Sequence, residues 1–159
     1  MESELGKGST FKFKIPYSPD KTASNGDGTN NMAPKVDWDN KKILIAEDED
    51  INYFYLHEMM KKTGASLLRA KNGLEAVQMA ANVTVDLILM DIKMPEMNGL
   101  EATRAIKQKT PWIPIVAVTA YAMGNDRQLC LDAGCDDYLA KPLRKTELFA
   151  IIDKFLKKA

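Results

Sequence analysis

Acidic, hydroxyl and ammonium side chains follow four short apolar runs of this sequence. They are Glu47 and Asp48 after KILIA, Asp91 after DLILM, Thr119 after IPIVAV and Lys141 after DDYLA. Three carboxylates about 4 Å apart would repel by about 4 kcal/mol per pair at an effective dielectric constant of about 20. Lys141 supplies one positive charge, and Mg²⁺, a hard ion that prefers oxygen ligands, is predicted to supply the rest. A carboxylate beside Mg²⁺, a lysine and a hydroxyl can perform phosphoryl transfer, so Asp91 is a candidate phosphoryl acceptor.

Each of these residues taken singly has an ordinary structural explanation. Acidic residues commonly begin a helix, because carboxylates favour its positive N-terminal end, and this alone would account for Glu47 and Asp48. A lone lysine is normally solvated, and a lone threonine fits a strand. The functional interpretation therefore depends on the whole set following strand-like runs of one chain.

Strand-like and helical segments alternate five times from Lys41 onward. The apolar runs predict strands at 42–46, 66–70, 86–90, 113–118 and 136–140. The amphipathic segments predict helices at 50–62, 73–81, 99–107, 123–133 and 145–157. Because parallel strands need long crossovers, this alternation indicates an α/β fold, a doubly wound five-stranded parallel sheet with helices on both faces. In such a sheet function lies beyond the carboxyl ends of the strands, where the candidate residues fall.

The first predicted helix carries the only histidine of the chain, His57. Its apolar residues Ile51, Phe54, Tyr55 and Met59 are expected to face the sheet. This would leave His57 on the surface or half-buried. A histidine that donates phosphoryl groups needs a helical-bundle setting, so His57 is not assigned that role.

Charge and composition disfavour several classes of partner. Lysine plus arginine and aspartate plus glutamate each number 22, so no net charge draws the chain to nucleic acid or to an anionic membrane. No apolar run approaches the roughly 20 residues of a membrane-spanning helix, and no secretory signal begins the chain. The two cysteines, Cys130 and Cys135, lack the spacing of a metal site or a disulfide framework. We therefore expect a cytoplasmic segment without membrane contact.

From Lys41 to its end, the chain resembles a two-component response-regulator receiver domain. The resemblance rests on Glu47 and Asp48 in ILIAEDED, Asp91 in LILMDIKMPEMNGLEATRAIK, Thr119 in IVAVTAYA and Lys141 in GCDDYLAKPL. It implies a flavodoxin-like sheet with strand order 2-1-3-4-5. It also implies that Asp91 takes a phosphoryl group from the phosphohistidine of a histidine kinase or a phosphotransfer protein. The domain itself would have at most self-phosphorylation and self-dephosphorylation activity.

The resemblance also assigns magnesium ligands. Asp48 and Asp91 would bind Mg²⁺ through their side chains, Glu47 through a coordinated water, and Lys93 through its backbone carbonyl. The Lys93 side chain departs from the family pattern, because it places a long cationic side chain at the entrance to the site. It would either shield an acyl phosphate from water or pair with the acidic run, and either effect would alter the lifetime of the phosphoryl group.

The remaining family roles concern the phosphoryl group and the response to it. Thr119 and Lys141 would each contact a phosphoryl oxygen. Tyr138 would be an aromatic switch that turns inward as Thr119 moves, changing a surface built from the fourth helix, the fifth strand and the fifth helix. The Lys141–Pro142 peptide bond would be cis.

Three other functions can be weighed against these residues. An aspartate-nucleophile phosphohydrolase would need a second acid two residues after its nucleophile, where this chain has Lys93. A flavin-binding module would need a loop rich in serine, threonine and glycine after the first strand, where this chain has an acidic run. A receiver-like module used only as an interaction surface remains open, although the set of site residues is complete.

The N-terminal residues follow a different pattern. Gly6, Gly8, Ser9 and Thr10 followed by FKFKIP resemble the last glycine-rich box and final strand of a histidine-kinase ATP-binding domain. The expected plan is a kinase remnant at 1–16, a flexible linker at 17–40 and a receiver at 41–159. The remnant would be loosely held and could not bind ATP. The alternative is a hairpin-like arm with a fortuitous glycine motif.

This plan describes the tail of a hybrid sensor kinase, whose parent would reach a membrane only through segments outside this chain. We expect no output domain to follow the receiver. The receiver is therefore expected to pass its phosphoryl group to another phosphorelay protein, to dock on one, or to regulate its own kinase.

Overall fold

The computed structural model of the chain describes residues 2–4, 8–10, 36–120 and 124–157, with side chains for 36–120 and 127–157. The chain divides into two units, Met1–Ala33 and Pro34–Ala159. In the first unit, strand β1 (Glu2–Glu4) pairs antiparallel with strand β2 (Gly8–Thr10). The predicted kinase strand at 11–16 and the linker up to residue 35 lie outside the described residues.

The second unit is built on a five-stranded parallel sheet. Its strands are β3 (Lys42–Ala46), β4 (Ser66–Ala70), β5 (Leu87–Asp91), β6 (Ile115–Thr119) and β7 (Asp137–Ala140). They lie in the order β4-β3-β5-β6-β7, and every neighbouring pair is parallel. Counted within this unit, the order is 2-1-3-4-5, which confirms the predicted fold.

Helices cover both faces of the sheet, as predicted. They are α1 (Asp50–Met60), α2 (Gly73–Asn82), α3 (Gly99–Lys109), α4 (Gly124–Ala133) and α5 (Lys145–Leu156). The alternation of side chains along β3 sends Leu44 and Ala46 to one face and Ile43 and Ile45 to the other. The first pair packs with buried residues of α2, α3 and α4, and the second pair with buried residues of α1 and α5. Among the described residues, no helix is long and apolar enough to cross a bilayer.

The ends of the elements differ from the predicted ends by at most two residues. Strand β5 begins at Leu87, and the Asp86 carboxylate before it accepts a hydrogen bond of 2.8 Å from the backbone amide of Lys42. At their carboxyl ends, β5 and β6 extend through Asp91 and Thr119. The two residues therefore have strand backbone, which fixes their positions at the sheet edge.

The face that α1 turns to the sheet was predicted wrongly for three residues. Ile51, Phe54 and Tyr55 are exposed, whereas Leu56 and Met60 are buried. Met59 is partly buried against the core, as predicted. Apolar residues occur around much of this short helix, so two different apolar stripes with a 3.6-residue period could face the sheet. Packing on the sheet selects the stripe through Leu56 and Met60.

The end of the predicted linker also differs. Trp38 is buried, and its ring lies 5.0 Å from that of Phe149 on α5. Its indole N–H donates a hydrogen bond of 2.7 Å to Asp153, and its backbone amide donates one to the Thr63 carbonyl. Burial of so large an apolar ring joins residues 36–40 to the α/β domain, although their polar composition is typical of a linker.

Candidate functional site

The strand order brings the predicted chemistry to one edge of the sheet. Strands β3 and β5 are neighbours, so the acids that follow Ala46 and Met90 lie side by side. One carboxylate oxygen from each of Glu47, Asp48 and Asp91 lies within 4.8 Å of the others. This oxygen-only set, two of its acids buried and one half-buried, can hold a hard divalent cation.

The ammonium of Lys141 bridges two of the acids. Its Nζ lies 2.7 Å from Glu47 Oε2 and 2.6 Å from Asp91 Oδ2. Burial opposes the charge on Lys141, but hydrogen bonds to Asp91 and Glu47 raise its pKa above the ordinary value. The lysine therefore stays charged and offsets one of the three negative charges.

Glu47 is the most buried acid of the site, with 1% of its surface exposed. Burial raises its pKa above the ordinary value, while hydrogen bonds from Lys141 and Asn52 act in the opposite direction. Asn52 Nδ2 donates to Oε1 at 3.0 Å, and Lys141 donates to Oε2. Each oxygen of this carboxylate therefore has its own donor, which fixes its orientation.

The backbone around Asp91 is held closely. The Lys93 amide donates a hydrogen bond of 3.2 Å to Asp91 Oδ1. The Gly99 amide donates to the Ile92 carbonyl, and a Cβ atom at Gly99 would overlap the Asp91 carbonyl oxygen. Only glycine therefore fits at the start of α3. Asn98 forms a capping box with Glu101 that ends the loop.

A cleft of about 590 Å³ opens beside this loop. It is lined by Asp48, Ile92, Lys93, Met94, Pro95, Asn98 and Leu100. The Lys93 side chain is exposed there, two residues beyond the acceptor candidate. That its carbonyl would serve as a magnesium ligand stays a prediction.

Thr119 and Tyr138 lie on the same face of the sheet. Thr119 is buried, and its carbonyl accepts a hydrogen bond of 2.7 Å from the Lys141 amide. Tyr138 is half-buried opposite Ala117 in the register, with the Arg127 guanidinium 5.4 Å from its ring centroid. This placement suits the predicted switch, whose role stays a prediction. The Lys141–Pro142 peptide bond is cis, as expected.

A comparison with known families decides which domain carries this arrangement. The profile of the response regulator receiver domain matches residues 43–153, well over half of the chain. The chain belongs to this receiver family. The match contains the three clustered acids, Thr119 and Lys141.

Relatives of this receiver domain include single proteins and parts of larger ones. The polar-differentiation response regulator DivK of Brucella anthropi is 36% identical over 118 residues, which cover 73% of this chain and 96% of DivK. The receiver domain of the sensor histidine kinase PA1611 of Pseudomonas aeruginosa, solved with a magnesium ion in its active-site cleft, has a TM-score of 0.70 and 36% identity. That match covers 74% of this chain and 98% of the PA1611 domain.

A third relative was solved with its partner. The receiver domain of Ssk1 from Saccharomyces cerevisiae, in complex with the histidine phosphotransfer protein Ypd1, has a TM-score of 0.69 and 32% identity. The match covers 72% of this chain and 88% of the Ssk1 chain.

Sequence reasoning missed two side chains at the receiver site. Asn52, in the first turn of α1, orients Glu47. Arg69, at the end of the edge strand β4, donates hydrogen bonds to the backbone carbonyls of Glu47 and Asp48. The one available signal for Arg69 was a basic residue inside an otherwise apolar strand, SLLRA.

Proposed function

We propose that Asp91 accepts a phosphoryl group from the phosphohistidine of a partner protein, with Mg²⁺ as cofactor. The observation that carries the proposal is the position of the Asp91 carboxylate. It lies at the end of the central strand β5, with Lys141 at 2.6 Å and the carboxylates of Glu47 and Asp48 beside it. An acceptor needs this combination of a fixed nucleophile and nearby cationic groups.

The residues present fit a magnesium ion in charge and in ligand chemistry. Three carboxylates and one ammonium leave a formal charge of about −2, which a divalent cation neutralises. Asp48 and Asp91 would hold Mg²⁺ directly, with Glu47 acting through water and the Lys93 carbonyl completing the protein ligands. When bound, Mg²⁺ would neutralise negative charge on the phosphoryl oxygens. The magnesium ion in the PA1611 receiver supports this assignment.

The transfer itself is a displacement at phosphorus. A carboxylate oxygen of Asp91 attacks the phosphorus atom, an O–P bond forms, and the N–P bond to the donor imidazole breaks. The electron pair of that bond returns to the imidazole nitrogen. The Lys141 ammonium, already at the Asp91 carboxylate, pairs with the incoming charge, and the Thr119 hydroxyl donates to a phosphoryl oxygen.

The new contacts are large enough to drive a conformational switch. Moving a two-state equilibrium from 1:99 to 99:1 takes about 5.5 kcal/mol. Two or three hydrogen bonds to a charged phosphoryl group, at about 1.5 to 3 kcal/mol each, total about 3 to 9 kcal/mol, a range that includes this amount. Displacement of Thr119 toward the phosphoryl group would make room for Tyr138, which lies on the same face of the sheet.

A surface for the donor protein borders the site. A cavity of about 390 Å³ lies between α1 and the loop after β7, lined by Glu47, Asn52, Tyr55, Leu56, Lys141, Pro142 and Leu143. The Tyr55 hydroxyl donates a hydrogen bond of 3.2 Å to the Leu143 carbonyl across it. Ile51 and Phe54 continue an apolar face of α1, 81% and 63% exposed. The Ypd1 complex of the Ssk1 receiver supports a phosphotransfer protein as the class of partner.

Phe54→Ser is expected to slow phosphoryl transfer from a phosphorylated phosphotransfer protein by about tenfold, because it removes apolar contact area from the docking face. Phosphorylation by a small acyl phosphate should keep its rate, since that donor needs no docking. Single-turnover transfer assays with both donors measure the two rates. Trp112→Ser, which removes a 75% exposed side chain outside α1, should leave both unchanged. Equal slowing with both donors would contradict the docking role.

The wider context proposed is a hybrid sensor kinase, with 1–16 as the end of its ATP-binding domain and a linker that begins at residue 17 and ends before residue 36. The glycine motif before FKFKIP and the occurrence of the PA1611 receiver in a sensor histidine kinase support it. The receiver would then work inside the cell as one step of a phosphorelay.

The direct test of phosphoryl acceptance is an intact mass measurement. The chain is incubated with Mg²⁺ and a small acyl-phosphate donor, with and without a chelator. We expect a gain of one phosphoryl unit that the chelator prevents. No gain in the presence of Mg²⁺ would leave only the interaction-only function for this receiver.

A further inference from the structure

We propose that Arg69 is a positioning residue that holds the acidic loop 47–49 in the conformation that binds Mg²⁺. The inference rests on the proposed magnesium-dependent function. Arg69 belongs to β4, which carries none of the predicted ligands and pairs with β3, the strand that precedes the acidic loop. Its side chain nevertheless reaches the loop that supplies two of the three clustered carboxylates.

The Arg69 guanidinium donates to two successive backbone carbonyls of the loop. Nε and Nη2 lie 3.3 and 3.2 Å from the backbone carbonyl oxygen of Glu47. Nη2 also lies 3.0 Å from the backbone carbonyl oxygen of Asp48. Both peptide planes are therefore fixed by one rigid, planar group. The direction in which the Glu47 and Asp48 side chains leave the backbone depends on those planes.

The same guanidinium is itself held on two further sides. Nη1 lies 2.6 Å from Asp50 Oδ1, and Cζ lies 4.5 Å from the centroid of the Tyr53 ring. Only 18% of the Arg69 side chain is exposed. Its rotamer is therefore constrained by a carboxylate and an aromatic face, which makes it a rigid support.

The loop needs such a support because its three residues are all acids and a fourth acid, Asp50, begins α1 directly after them. Glu47, Asp48, Glu49 and Asp50 repel one another, and an unsupported loop would relieve this by turning carboxylates into solvent. Arg69 holds the main chain from the side of the edge strand. The carboxylates of Glu47 and Asp48 are left to converge with that of Asp91.

Removal of Arg69 distinguishes a positioning role from a purely electrostatic role by whether Mg²⁺ then binds more weakly or more tightly. A nearby positive charge repels Mg²⁺, so on electrostatic grounds alone its removal would tighten binding. Loss of a group that orients metal ligands weakens binding, commonly by about 10- to 100-fold. The two roles therefore predict opposite changes in the dissociation constant.

The test is calorimetric titration of MgCl₂ into the full chain and its variants. Arg69→Met is expected to weaken Mg²⁺ binding by about tenfold. Arg69→Lys keeps the charge, and it should also weaken binding, because one ammonium cannot bond two carbonyls and a carboxylate in a fixed plane. If Arg69→Met does not fold, Arg69→Lys carries the test.

Lys107→Met is the matched control. Lys107 Nζ also bonds backbone carbonyls, those of Ile113 at 2.8 Å and Pro111 at 3.3 Å, and pairs with Asp136 at 2.7 Å. Its side chain is 16% exposed, close to that of Arg69, but it lies at the opposite end of the strands. Its loss should lower thermal stability and leave the Mg²⁺ dissociation constant unchanged.

Unchanged or tighter Mg²⁺ binding by Arg69→Met, in a chain whose wild type binds Mg²⁺, would overturn the positioning role alone. Equal weakening by Lys107→Met would also overturn it, because the loss would then reflect general destabilisation. Failure of the wild-type chain to bind Mg²⁺ would instead remove the magnesium site of the proposed function, and the inference with it.

Discussion

Asp91→Asn should abolish phosphorylation of the chain by a small acyl phosphate, lowering its rate by roughly 10⁴-fold or more, as is usual when a nucleophile is removed. The amide is nearly isosteric with the carboxylate but lacks its nucleophilic oxygen. The hydrogen bond from the Lys93 amide and the surrounding packing can persist, so the fold should remain. Intact mass and circular dichroism would measure the two effects separately.

Asp86→Asn is the control for that substitution. Asp86 precedes the same strand at its other end, where it accepts a hydrogen bond from the Lys42 amide and lies 3.5 Å from Lys41 Nζ. This variant should lose at most about 1 kcal/mol of stability and keep full phosphorylation. A phosphoryl unit retained by Asp91→Asn would show that another residue accepts the group.

Lys141→Met should destabilise the magnesium-free protein by about 3 kcal/mol, the lower end of the range for breaking a buried ion pair, because Lys141 is 21% exposed. Glu47 and Asp91 would lose the cation that bridges them. Added Mg²⁺ should restore part of the loss, since a divalent cation supplies the missing charge and binds only the folded site. Urea unfolding with and without Mg²⁺ gives both free energies.

Lys154→Met serves as its comparison. Lys154 also forms a close ion pair, 2.6 Å from Asp137, but it is 49% exposed. Its loss should cost less than about 1 kcal/mol and should not depend on Mg²⁺. If Lys141→Met proves as stable as the wild type without Mg²⁺, the bridging ammonium does not stabilise the acids, and this account of the site's charge balance is wrong.

Most of the fold was predictable because its signals are local. The apolar runs around Ile43 and Leu87 are typical of strands covered on both faces, and the helices between them favoured parallel pairing. The edge at which the acids collect followed from that topology. Asp91 and Lys141 could therefore be placed at one site although fifty positions separate them.

The features that the sequence did not reveal depend on contacts between distant segments. The exposed face of α1, with Ile51 and Phe54, depends on which of two apolar stripes meets the sheet. The burial of Trp38 depends on Phe149 and Asp153 of α5. The role of Arg69 depends on the turn of the main chain after β3, since it bonds carbonyl groups, which every residue possesses.

The close approach of Gly99 to the acceptor strand has a consequence for signalling. Gly99 has no room for even a methyl group against Asp91, and Gly73 at the start of α2 has none against the Met97 carbonyl. A side chain at either position would push the start of its helix away from β5 or from the loop that follows it. We therefore expect the starts of α2 and α3 to keep their places when Asp91 is phosphorylated, and the resulting movement to involve β6, α4, β7 and α5.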